Sequence, residues 1–362
     1  MKRWSIFIII CFVSLAFGQS QNGSFSTKRM ISIRPFYQPW TIENAVGASR
    51  DFSQISTAVS LYLPASRRIS FSARAAGAQS GGDLNSLDGF TDVQLSANYY
   101  LISQNTIFTL NVNLPTGKTR LTEPELLTSS IISNSVFRLR SPASGQGFNI
   151  SPGVIWLKNI NEYLTIGLGM SYQFKGTYQP IVNFGILDPG DELLTTGGID
   201  IRLNASTSLS GDVILTTYGT DKLDQSPIFS AGNKALVAIQ LRKYFRFHEL
   251  QLLAHFRTQE KNEFSLTNEK NQITPNHIHL SAGYRFPLQK FFWLNVVVES
   301  RFYGKAASEL SDGAVWGIGI FPELRLSSTL HMPFHLKYLS GGFAGGMEIT
   351  GMEIGTGLVF YY

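Results

Sequence analysis

The chain has 362 residues and a formal charge of +5, with 43% hydrophobic, 12% aromatic and only 15% charged residues. No basic cluster appears, which excludes a nucleic-acid partner, and past the leader no run of eighteen apolar residues remains, which excludes a helical membrane protein. The single cysteine is Cys11, so a chain without its leader has no disulfide, thiolate metal site or cysteine nucleophile, and no cofactor is expected.

Residues 1–18 read as a secretory signal. Lys2 and Arg3 form a charged start, Ile6 to Phe17 an apolar run, and Ala16-Phe17-Gly18 a small-residue cleavage pattern. Ile8, Ile9 and Ile10 ahead of Cys11 argue against a lipid-modified N-terminus. Cleavage leaves one domain, residues 19–362, with a charge of +3 once Lys2 and Arg3 are subtracted from +5.

From residue 29 onward, apolar and polar residues alternate in short stretches. At 164–174, Leu164, Ile166, Leu168, Met170, Tyr172 and Phe174 share one face, while Thr165, Gly167, Gly169, Ser171 and Gln173 share the other. That is the pattern of a wall with lipid outside and water inside. Such stretches fall at 29–37, 52–62, 67–76, 91–101, 106–114, 148–158, 163–174, 193–204, 208–217, 234–244, 248–258, 276–286, 291–302, 314–326, 331–340 and 350–362. Short and long connections interleave between them, as tight periplasmic turns and longer outward loops do in outer-membrane barrels. The first and last connections both read as long, which places both termini on the periplasmic side. The expected fold is all-β, an antiparallel transmembrane β-barrel of about 16 strands, with about 14 as the alternative. A soluble β-sandwich also alternates, but its exposed faces call for more charge.

The longest connection, Pro115 to Gly147, carries a capping-box spacing at Thr122 and Glu125, with Pro124, Leu126, Leu127, Ile131 and Ile132 able to form a short helix behind it. Long structured loops are usually functional. This one is expected to fold inward as a constriction carrying Thr122, Glu125, Leu126, Leu127 and Ile131, a disordered outer loop being the alternative. Gly117-Lys118-Thr119 ends like a phosphate loop, but Val112 stands where that motif needs glycine.

Arg34, Arg74, Arg202, Arg242, Arg257, Arg285 and Arg301 occupy polar-facing positions and are expected to line the lumen. His255, His277, His279, His335 and Lys337 share that face, against Asp92, Asp200, Asp212, Glu249 and Glu299. These residues either select anions or pair across strands as struts. His277 and His279 could present two imidazoles to a metal, although polar residues facing water need no ligand. No Gly-x-Ser-x-Gly elbow or metalloprotease spacing occurs, so the chain is not expected to be an enzyme. At the C-terminus Leu358, Phe360 and Tyr362 share one face, and the aromatic end suits either a barrel-sorting signal or an interfacial girdle.

Gly82-Asp83, Phe90-Thr91-Asp92, Ala97-Asn98-Tyr99-Tyr100 and Asn113-Leu114-Pro115-Thr116-Gly117-Lys118 together resemble the outer-membrane channel family named after the phenol meta-cleavage pathway. A Ser/Thr-rich insertion follows Leu-Pro-Thr-Gly where that family has a glycine-rich stretch. The resemblance implies a channel for small, often hydrophobic or aromatic solutes. The chain is thus expected in the outer membrane of a Gram-negative bacterium, as a passive or ligand-gated channel for small hydrophobic or amphipathic solutes. Its partners would be outer-membrane lipid, the barrel-assembly machinery during insertion, and the small solute. The alternatives are a non-conducting structural protein or barrel-embedded hydrolase, and an anion-favouring general porin.

Overall fold

A computed structural model describes residues 28–101, 105–140, 147–182, 184–265, 267 and 269–362. The expected signal segment, residues 1–18, lies outside the described residues. Sixteen antiparallel strands close into one barrel. In chain order they are β1 (Met30–Glu43), β2 (Ser49–Pro64), β3 (Ile69–Gly82), β4 (Val93–Tyr100), β5 (Thr106–Leu114), β6 (Asn149–Asn159), β7 (Leu164–Lys175) and β8 (Glu192–Asn204). The second half comprises β9 (Thr207–Tyr218), β10 (Lys234–Phe245), β11 (His248–Gln259), β12 (His277–Gln289), β13 (Phe292–Tyr303), β14 (Gly313–Arg325), β15 (Leu330–Phe343) and β16 (Met347–Thr356, resuming at Leu358–Tyr361).

Every neighbour pair is an antiparallel hairpin, and β16 closes on β1 with Trp40 opposite Gly351 and Ile33 opposite Leu358. Closure leaves no open edge, so every wall strand has its backbone partners, the condition for crossing hydrocarbon. Outward-facing Ile33, Phe71, Leu168, Ile239, Leu280 and Ile318 are exposed and form an apolar belt. Tyr99, Tyr163, Phe247, Phe291, Phe360 and Tyr362 crowd the rim that carries the termini, where amphipathic rings suit a lipid–water boundary. Phe360 and Tyr362 stack there, 5.6 Å apart.

Each of the sixteen stretches read from the alternation corresponds to one strand, which rules out fourteen. Two connections differ from expectation. The first, residues 44–48, and the last, residues 344–346, are tight turns, because β1, β2, β15 and β16 run several residues further outward than their polar alternation does. There the inward positions turn apolar: Trp40, Phe52, Phe343 and Ile349 are all buried. A strand apolar on both faces loses the period-2 signal. The two ends of the wall, Arg29 and Tyr362, meet on the rim of short turns through reciprocal backbone bonds of 3.1 Å. Among the outer loops, residues 187–188, 220–223, 226–230, 262–264 and 269–271 form a small second sheet.

Candidate functional site

The inward-facing residues divide the lumen into two arcs. One, formed by β1–β3 and β13–β16, is filled by the connection after β5. Helix α1 (Glu123–Ile132) begins at Thr122, whose backbone N–H and hydroxyl both donate 2.9 Å bonds to the Glu125 carboxylate. Burial works to raise the Glu125 carboxyl, but hydrogen bonds from Lys118 and Thr122 outweigh it and hold it below the usual carboxylate range. Past the helix, Ile132, Val136, Phe137 and Leu139 are buried against Trp40, Phe52, Val315, Leu339 and Ile349 of the wall. Phe137 meets the edges of Trp40 and Phe52, each 5.1 Å away centre to centre. Trp40 can lie flat because its neighbour on β16 is Gly351, where a Cβ would fall inside the indole.

Polar bonds fix this plug in position. Gln54 of β2 donates to the Arg140 carbonyl at 2.6 Å and accepts the Arg140 N–H at 2.7 Å. Arg301 of β13 donates to the Val136 carbonyl at 3.1 Å. Residue 121 is clamped by the outer loop through Leu121 N–H to Pro180 and Val182 N–H to Leu121. In that loop burial pushes the Tyr178 hydroxyl up to about 12, with the charges of Asp221 and Asp92 adding to the rise.

Of the five residues expected at a constriction, Thr122 and Leu127 are exposed, and Glu125, Leu126 and Ile131 are partly buried. Leu126 and Ile131 pack against the apolar cluster. The residues that make the deepest contacts, Ile132, Val136, Phe137 and Leu139, were not singled out from sequence, apart from Ile132 as part of the helix. Residues 134–140 have no helical or strand period to reveal them.

Below the plug runs a chain of ion pairs. Glu299 accepts from Arg301, lies 3.0 Å from the Lys337 ammonium and lies 3.3 Å from His279. Glu353 lies 3.6 Å from Lys337 and bonds His335 at 2.8 Å. Arg138 of the plug reaches His279 at 3.5 Å. Three permanent cations, Arg138, Arg301 and Lys337, thus face two carboxylates. His277 sits beside Tyr303, with centroids 5.6 Å apart. Among the described residues no group of three or more His, Cys, Asp or Glu is arranged to hold a metal.

Nearer the rim of short turns is a cavity of about 590 Å³ whose wall includes Arg34, Arg242, Glu249, Arg285, Glu323 and His335. Arg242 pairs with Glu249 at 3.2 Å and Arg285 with Glu323 at 2.5 Å, while Arg325 shares Glu323 at 3.0 Å. Of the seven arginines expected in the lumen, Arg34, Arg242 and Arg285 therefore share this cavity. Arg301 joins the ion chain, and Arg257 is buried near the outer end of β11. Arg74 is half-buried on the inward face of β3, and Arg202 is exposed near the lower end of β8. Arg242, Arg285 and Arg301 thus pair with carboxylates across or along the wall.

The second arc, on β7–β11, is polar at its outer end. Lys175 pairs with Glu192, both buried, and Lys234 and Arg257 follow on the next inward positions. Lys175, Glu192 and Lys234 were not named from sequence because each sits at a strand end, where a charged residue reads as part of a loop.

No family model matches the chain, and no curated protein matches it. Among solved structures it is similar to a TodX deltaS2S3 mutant monoaromatic hydrocarbon channel, at 10% identity over 93% of this chain and 91% of that one, with a TM-score of 0.49. It is also similar to a bacterial polysaccharide outer membrane secretin, at 9% identity over 94% and 100% of the two chains, TM-score 0.48. A third is an anion-selective porin from Comamonas acidovorans, at 12% identity over 92% and 99%, TM-score 0.44.

Proposed function

We propose that the chain is an outer-membrane channel through which small, hydrophobic or amphipathic solutes pass beside a plug folded into one arc of the lumen. The observation that carries this reading is the division of the lumen. A compact apolar plug is docked on β1–β3 and β13–β16, whereas the opposite wall carries the buried charges of Lys175, Glu192, Lys234 and Arg257 beside a short aliphatic row and, among the described residues, receives no plug contact of that kind. A barrel of about sixteen strands is too wide for wall side chains alone to fill and leaves room for an aqueous channel, which a plug on one side narrows. The apolar outer belt and aromatic rim support membrane insertion. The partial sequence resemblance at residues 82–118 supports the choice of small hydrophobic solutes.

Planar-bilayer recording on the purified protein tests this reading. The intact chain should give small, discrete openings, and removal of residues 120–143 should enlarge them. Absence of conductance from both correctly folded forms would refute a channel.

A second reading, an anion-favouring porin, is favoured by one observation. The lower cavity presents Arg34, Arg242 and Arg285 against Glu249 and Glu323, an excess of one positive charge among these five. Under that reading, reversal potentials in a salt gradient shift toward the anion potential, and no apolar ligand binds.

A further inference from the structure

Among the described residues, two cations in the outer half of the polar arc, Lys234 and Arg257, form no direct ion pair with a carboxylate. Lys234 is 4% exposed, and its ammonium lies over the face of Tyr218, 5.4 Å from the ring centroid. The carboxylate opposite Tyr218 in the strand register is Glu192, and it is already bonded by Lys175. Arg257 is 9% exposed, bonds Gln259 at 3.3 Å, and leaves its Nε without an acceptor. Register brings the two together: Lys234 lies opposite Gln259, and Arg257 lies opposite Leu236, two residues along from Lys234 on the same face. Desolvating two ammonium-type charges is costly unless an anion joins them.

Immediately below lies an apolar floor. Leu194 on β8, Ile214 on β9 and Leu236 on β10 are buried together at 8%, 4% and 5% exposure, with Ala238 packed beside them. On each strand the aliphatic residue follows a polar one by two positions: Glu192 then Leu194, Lys234 then Leu236, and, running the other way, Thr216 then Ile214. One further step down, Asp212 stands opposite Ala238. The floor is therefore a single row deep, cationic above and acidic below.

Resting on the channel reading, we infer that this cluster of inward side chains forms a binding site for a small monoanion with a compact apolar body, such as an aromatic or short aliphatic carboxylate, its carboxylate held by Lys234 and Arg257 and its body on Leu194, Ile214 and Leu236. Charge-assisted bonds to two donors fix the head, and the aliphatic row takes the body out of water. Asp212 disfavours a second carboxylate at the far end, and a long chain would reach past the row. The uncharged alcohol loses the head contacts, and a bare anion loses the floor.

Calorimetric titration of the full-length detergent-solubilised protein tests the site, with sodium benzoate as probe and acetate, benzyl alcohol, benzylamine and terephthalate as comparisons. Benzoate should bind one to one and each comparison at least several-fold more weakly. Lys234→Met and Arg257→Gln should each weaken benzoate about tenfold or more, as lost charge-assisted bonds do. Leu236→Asn should weaken benzoate while leaving acetate unchanged. Acetate binding as tightly as benzoate would reduce the cluster to a general anion site, benzyl alcohol binding equally would remove the cations from recognition, and either result overturns the inference. Unchanged benzoate affinity in a heat-modifiable, folded Arg257→Gln protein overturns it too, even where Lys234→Met fails to fold. Conductance keeps the two ideas apart. A conducting protein that ignores benzoate loses the site and keeps the channel, whereas a benzoate-binding protein that never conducts loses the channel and keeps the site.

Discussion

The two arcs of the lumen share one backbone architecture and differ in what their inward side chains meet. On β1–β3 and β13–β16 the wall meets another part of the chain: Trp40, Phe52, Val315, Leu339 and Ile349 close on Phe137 and its neighbours, and Gln54 and Arg301 bond plug backbone. On β7–β11 the wall meets itself: Lys175 pairs with Glu192, and Leu194, Ile214 and Leu236 touch across adjacent strands. Because the hydrogen-bonded ladder supplies the barrel's integrity in both places, inward positions are free to specialise. One arc spends its side chains on holding a plug, and the other turns Lys175, Glu192, Lys234 and Arg257 toward the lumen.

That contrast predicts unequal responses to mutation. The largest effect should follow deletion of residues 120–143, which empties the plugged arc: single-channel conductance should rise severalfold, and an unchanged value in a folded deletion would break the distinction between the arcs. Next, Phe137→Ala removes the ring held between Trp40 and Phe52, a truncation that costs about 3–5 kcal/mol in a packed core. Since the wall keeps its ladder, this loss should appear as faster protease cleavage within residues 121–140 and not as a lower barrel melting temperature. Glu299→Gln leaves Arg301 and Lys337 facing each other and should cost about 3–5 kcal/mol, read as reduced hydrogen-exchange protection of residues 134–140. Lys234→Met, on the other arc, should leave that protection untouched.

Smaller effects sharpen the picture. Gly351→Ala pushes a methyl into the Trp40 ring and should cost about 1–3 kcal/mol as overpacking does, visible as a lower heat-modification temperature at the β16–β1 seam. The smallest involves Glu125, whose carboxyl is held below its ordinary range once bonded by Lys118 and Thr122. A lowered folded value means stability that is present above the unfolded carboxylate range and is lost as pH falls through the folded one. The hydrogen-exchange protection factors of residues 123–132, measured against the intrinsic rate at each pH, should therefore be constant from neutral pH down to the ordinary carboxylate range and fall below it. Glu125→Gln, worth about 0.5–1 kcal/mol, should show the faster exchange already at neutral pH. A pH profile shared by the mutant and the parent chain would remove Glu125 from the plug's stability.

Sequence and structure agree best where lipid and water impose opposite demands on alternate residues. Leu164 to Phe174 is such a place, and strand β7 runs from Leu164 to Lys175. Agreement fails where a third environment intrudes. Trp40, Phe343 and Ile349 point inward yet are apolar because the plug, not water, faces them, so the outer ends of their strands read as loop. The helix behind Thr122 was legible because capping is local chemistry. The docking of Phe137 onto Trp40 and Phe52 was not, since it depends on contacts between residues some 85 to 97 positions apart in the chain. Inward arginines were legible from strand parity alone, but which of them pair depends on cross-strand register, as Arg285 with Glu323 illustrates. The cluster at Lys234 escaped because its cations and its floor come from four strands.

The seam between β16 and β1 joins the two ends of the polypeptide, Met30 standing opposite Tyr361. Trp40 is seated on Gly351 and its neighbours, so the surface that receives the plug is incomplete until the final strand has arrived and paired. Time therefore enters the design. Loop closure across the whole polypeptide is the slowest contact to gain by search alone, and the plug's platform is built from the earliest and latest strands to leave the ribosome. A chain truncated before Met347 would have every residue of the plug but would lack Ile349 and Gly351 from the seat that Trp40, Phe52, Val315 and Leu339 share with them.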